Sequence, residues 1–76
     1  MTESKTISDL KLGQSAEVLS LGNNTASLKL LEMGVLPGSK ITMMGSAPFG
    51  DPIKILIGDD FMLSLRKAEA KNIILK

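Results

Sequence analysis

The stretch Gly45-Ser46-Ala47-Pro48-Phe49-Gly50 has the glycine spacing of a phosphate-binding loop. Such a loop cradles phosphate oxygens with backbone N–H groups and closes on Lys followed by Ser or Thr. Here the next residues are Asp51 and Pro52. A carboxylate repels phosphate and proline has no N–H to donate, so nucleotide binding at this loop is rejected. Asp59-Asp60 is the second candidate, as a hard-cation site. Two adjacent carboxylates fall well short of the roughly six to eight oxygens such an ion takes, and the pair reads as a solvated turn. Asp51 reads as a brace for its own loop.

The rest of the chemistry is limited by what the chain lacks. It has no Cys and no His. Disulfides, thiolate chemistry, soft-metal sites and His bases are all excluded. Ser and Thr are present, but the usual base for a hydroxyl nucleophile is missing. No catalytic constellation, cofactor site or metal site can be named, and the chain does not read as an enzyme. Arg66, Lys67, Lys71 and Lys76 are interrupted by Glu69, with no aromatic among them to stack bases. They read as solvated surface, and a net charge of +1 supplies no field toward nucleic acid or acidic lipid. Contact chemistry remains, and its main candidate is Phe49, one of only two aromatic residues, set in the loop 47–52.

The elements around that loop are short. A 76-residue chain that is 43% hydrophobic and 3% aromatic reads as one small domain with an aliphatic core. Residues 1–6 are polar and expected to fray, leaving 7–76 as the domain. No apolar run is long enough for a membrane span or a secretory signal, so a cytoplasmic protein is expected. Ser8, Asp9 and Leu10 cap a helical turn that points Ile7 and Leu10 inward. Residues 15–21 read as a strand with Ala16 and Val18 on one face. Gly22-Asn23-Asn24 is a turn, Thr25 an N-cap, and a helix runs through Met33 to a stop at Gly34.

Two apolar faces are predicted on that helix: Ala26, Leu30 and Met33 on one side, Leu28 and Leu31 on the other. Strand 40–46 divides Ile41 and Met43 from Thr42 and Met44. Strand 53–57 points Ile53, Ile55 and Ile57 inward and Leu56 outward. After a turn at 58–60, strand 61–65 points Phe61, Leu63 and Leu65 inward and Met62 outward. A helical turn at 68–71 uses the small Ala70 to approach closely, and Ile73 and Leu75 point inward from a last strand, 72–75. The predicted class is mainly β: about five short strands, one helix and short helical turns, curled into a small barrel. The second helix face and the outward aliphatics exceed what so small a monomer needs. Leu28, Leu31, Phe49 and Met44 are therefore the candidate partner-binding residues. Phe49 is expected to cap the barrel end beside the helix and leave one edge for the partner.

Three segments in order carry a resemblance. They are Leu30-Leu31-Glu32-Met33-Gly34-Val35-Leu36-Pro37-Gly38, then Ala47-Pro48-Phe49-Gly50-Asp51-Pro52, then Leu63-Ser64-Leu65-Arg66-Lys67-Ala68-Glu69-Ala70. The series resembles the LLELGLxPG, APxGDP and LALRxxEA pattern of the FeoA family, ferrous iron transport protein A. Leu10-x-x-Gly13 and the strand Ile73 to Leu75 extend the likeness from about Ile7 to the C-terminus. The resemblance implies an SH3-like β-barrel and a cytoplasmic accessory or regulatory role, not an enzymatic one. It implies a FeoB-type ferrous iron transporter as partner, through its GTP-binding domain, with the membrane met only through that partner. It also implies kinship of fold with the C-terminal domain of iron-dependent repressors, here without a preceding DNA-binding helix pair. Leu28 stands where the family often has a basic residue, which creates the second apolar face. With no Trp or Tyr the barrel lacks the aromatic groove of proline-peptide binders. The alternatives are an iron-responsive metal-binding module using oxygen ligands alone, and a self-assembling adaptor that forms a homo-oligomer.

Overall fold

In the computed structural model the described residues are 5–22 and 25–76, with the side chains of Thr25 and Ala26 outside the description. The chain runs β1 (Lys5–Thr6), a 3-10 turn (Ile7–Asp9), β2 (Ser15–Ser20), α1 (Thr25–Glu32), β3 (Lys40–Ser46), β4 (Ile53–Ile57), β5 (Phe61–Leu65), α2 (Lys67–Ala70) and β6 (Ile74–Leu75). All six strands join one antiparallel sheet in the order β1-β6-β2-β3-β4-β5. Chain order breaks once, where β6 returns to lie between β1 and β2. The sheet wraps a single aliphatic core in which Ile7, Leu30, Val35, Ile41, Ile55 and Ile73 are almost fully buried.

Local chemistry explains the boundaries. The 3-10 turn is capped by Thr6, not Ser8: the Thr6 N–H donates to Asp9 Oδ2 at 2.9 Å, while Ile7 and Leu10 enter the core. Within the polar N-terminal stretch, Lys5 and Thr6 pair with Leu75 and Ile74. That pairing makes six strands, not five. At the end of α1 the Val35 N–H donates to Leu30 O (2.9 Å) and the Gly34 N–H to Leu31 O (3.0 Å). These are the paired bonds of a Schellman stop, and Gly34 takes the left-handed conformation that it requires, at φ +93°. The buried contact that accompanies the motif falls on Leu30 and Val35.

Three assignments of side-chain direction are corrected. Met33 is exposed, because α1 ends at Glu32 and Met33 belongs to the turn. Phe61 is 43% exposed at the turn end of the β4–β5 hairpin, where its partner Ile57, and not Phe61, packs against the core. Leu56, expected outward, is half-buried. Leu30 is buried on α1 while Leu28 and Leu31 are exposed, as the two-faced helix requires. Ala70 is fully buried, as its size suggested. The turn at Asn23-Asn24, the Thr25 cap and the placing of the Ala26 side chain lie outside the described residues.

Candidate functional site

The barrel end beyond β3 is built by a bulge. The β3–β4 register runs Met43 opposite Ile55, then Gly45 opposite Lys54, leaving Met44 as the extra residue. Met43 keeps its place in the core, and Met44 is turned to the surface. The chain then leaves through loop 47–52. The Gly50 N–H donates to Ala47 O at 2.8 Å, closing a β-turn with Pro48 and Phe49 at its two corners. The Ala47 N–H donates to Pro52 O at 3.0 Å, and the Asp51–Pro52 peptide is cis. Asp51, expected to brace its own loop, reaches beyond it: its Oδ1 accepts the Lys67 N–H at 2.8 Å and joins the loop to the start of α2.

Held this way, Phe49 is 98% exposed. The expected cap on the barrel end is therefore corrected: a residue at the corner of a closed turn points away from the chain reversal, out of reach of the core. The loop is also not beside the helix in chain path. The chain from α1 enters β3 at Lys40, and the loop leaves it at Ser46. A seven-residue strand separates the two by roughly 20 Å.

A cleft of about 520 Å³ opens beside the bulge. Leu10, Met43 and Ile53 reach it from the core, while Met44 and Leu12 line it from the surface. Leu12 is 75% exposed, held out on the turn that Gly13 makes at φ +82°. Gly50 brings the loop to the same cleft, and Ser8, Ser46 and Lys67 add polar groups. A second cleft of about 360 Å³ shares Met44, Gly45, Ser46 and Ile53 and extends to Ala47, Pro52, Lys54 and Ser64. Met44 thus borders both.

The four candidate residues fall in two zones. Met44 and the loop bearing Phe49 share the cleft end. Leu28, 61% exposed, and Leu31, 47% exposed, sit on α1 and line neither cleft. Sequence reasoning missed Leu12, whose signal is an apolar residue immediately before a turn glycine. No group of three or more Asp or Glu is gathered among the described residues. No helix among them is long and apolar enough to cross a membrane. What the site offers is apolar contact: an open cleft, a thioether on its border and an aromatic ring held clear of the surface.

The FeoA domain family matches residues 5–76. Among solved structures, a FeoA-like protein from Clostridium acetobutylicum is 31% identical, with a TM-score of 0.83 over 100% of this chain and 88% of that one. FeoA of Stenotrophomonas maltophilia, solved with zinc, is 29% identical with a TM-score of 0.83, covering 96% of this chain and 91% of that one. It is described as an SH3 domain protein put forward as a ferrous iron transport activating factor. The SH3-like architecture expected from the sequence is thus the one these neighbours share. A manganese-dependent transcriptional repressor shares the fold at 13% identity, with a TM-score of 0.81 over 99% of this chain and 37% of that one. No curated protein matched the chain.

Proposed function

The chain belongs to the FeoA family, and on that premise we propose that it is a small cytoplasmic accessory protein of ferrous iron uptake, working by contact with a FeoB-type transporter through the transporter's GTP-binding domain. The observation that carries this reading is the exposure of Phe49 on a loop closed by two backbone bonds and one carboxylate bond. A large apolar group exposed on a loop whose backbone is already closed gains its full burial on binding, and the loop has little backbone ordering left to lose. Binding energy at interfaces concentrates in a few such anchors. The neighbouring cleft, lined by Leu12 and Met44, offers a receiving surface for an apolar side chain of the partner. Leu28 and Leu31 give α1 a second contact face.

The role is regulatory, not enzymatic: contact at these surfaces biases the transporter's nucleotide cycle or its assembly. Ferrous iron is the transporter's cargo in this reading, and the chain does not hold it. The membrane is reached only through the partner. The test is capture of a FeoB-type transporter from native membranes by the tagged chain, with Phe49→Ser and Leu31→Glu as the comparison.

A further inference from the structure

Strand β5 closes one end of the sheet order, and among the described residues only β4 pairs with it. The ladder fixes where its peptide groups point. The Gly58 N–H donates to Lys40 O, one step beyond the Ile41–Ile57 pair. Antiparallel pairs alternate between bonded and non-bonded, so Leu56 turns its peptide groups toward β3, and Ile53, Ile55 and Ile57 turn theirs toward β5. Their partners Leu65, Leu63 and Phe61 answer them. Met62 and Ser64 are left pointing their N–H and C=O groups away from the sheet. Native edges of this kind are blunted by charge, proline or brevity. The opposite edge, β1, has two residues and one is Lys5. Strand β5 has five residues, no charge and no proline, and Met62 on it is 46% exposed.

We propose that this edge pairs antiparallel with β5 of a second copy of the chain, about a two-fold axis through Leu63. The sequence around Leu63 is complementary to itself. In that register Met62 faces Ser64 of the other copy, Phe61 faces Leu65, Asp60 faces Arg66 and Asp59 faces Lys67. The hydrogen-bond phase agrees, because Met62 and Ser64 are the residues with outward peptide groups, and here they exchange them. The peptide groups of Arg66 are taken by Glu69 and Ala70, so the ladder stops there and the charged pairs act through their side chains. All four charged residues are exposed, and among the described residues none is in an ion pair within its own chain. A parallel arrangement would set Asp60 beside Asp60 and Arg66 beside Arg66, so charge selects the antiparallel one.

Sedimentation velocity and amide exchange on the full chain, across a dilution series, test this. A concentration-dependent dimer of the 8.1 kDa chain is expected. With rising concentration the Met62 and Ser64 amides slow their exchange, while those of Phe61, Leu63 and Leu65, already bonded to β4, do not. Asp60→Arg and Arg66→Asp each weaken the dimer about tenfold, since each turns two attractions into repulsions. The double variant Asp60→Arg/Arg66→Asp restores it. Met62→Pro leaves a folded monomer, because the lost N–H serves no bond to β4. A chain that stays monomeric at every concentration overturns the proposal. So does a dimer that the single reversals leave unchanged, or one that the double variant fails to restore.

Discussion

The carboxylate of Asp51 accepts the amide N–H of Lys67 at 2.8 Å, joining the loop that follows β3 to the first residue of α2, sixteen positions along the chain. One side chain therefore orients Phe49's loop and supplies a hydrogen bond at the start of a four-residue helix. Asp51→Ala should lower stability by about 1 kcal/mol, the usual value of an end-capping carboxylate. For a domain this size that is a fall in Tm of roughly 4–8 °C. The same variant should raise the amide exchange of Lys67 while sparing that of Leu30. An unchanged Lys67 amide would contradict the brace.

Gly34 and Gly22 both take positive φ, at +93° and +74°, but in different surroundings. A Cβ on Gly34 meets nothing within 4 Å, so Gly34→Ala bears only the left-handed penalty, about 1 kcal/mol. A Cβ on Gly22 lies 3.0 Å from the backbone oxygen of Asn72, which cannot swing away as a side chain would. Gly22→Ala should cost roughly twice as much or more. Denaturant melts of the two variants side by side give the order.

The two faces of α1 should separate under truncation. Leu30 is 1% exposed, and Leu30→Ala should cost about 3 kcal/mol. Leu31 is on the opposite face, and Leu31→Ala should cost under about 0.5 kcal/mol. Similar losses at both positions would mean that the outer face is already covered in the isolated chain.

Much of this was legible in the residues. Alternation located β3, β4 and β5 within their observed bounds, because each buries one face on the core and the period-two pattern survives. The helix and its glycine stop were legible for the same reason. The misses occurred where local pattern does not decide. The pairing of Lys5 and Thr6 depends on β6, some seventy residues away, so a polar N-terminal stretch gives no sign of it. Phe61 continues the inward alternation of β5, but at the end of the strand next to the turn it is Ile57 of β4 that packs on the core. Phe49 was readable as an anomaly, but its direction depends on which turn the loop closes. Leu12, the most exposed aliphatic of the cleft, carried only the weak signal of an apolar residue before a turn glycine, and its place at the cleft depends on the β3 bulge and the Gly13 turn.

The cleft end and α1 are separate zones, so they can be tested separately. Met44→Asp and Leu12→Asp both place charge at the cleft without touching the core, and each should leave the melting temperature within a few degrees of the parent. Binding of a transporter-derived partner should fall at least tenfold for either, if the cleft receives an apolar side chain. Isothermal titration with the partner domain measures this directly.

The most direct test of the account is a binding titration between the chain and the purified cytoplasmic GTP-binding domain of a FeoB-type transporter, comparing the parent with the Leu31→Glu/Phe49→Ser double variant. The account predicts saturable binding by the parent and none by the variant, with both chains melting alike. Failure of the parent to bind, or equal binding by a folded double variant, would contradict it.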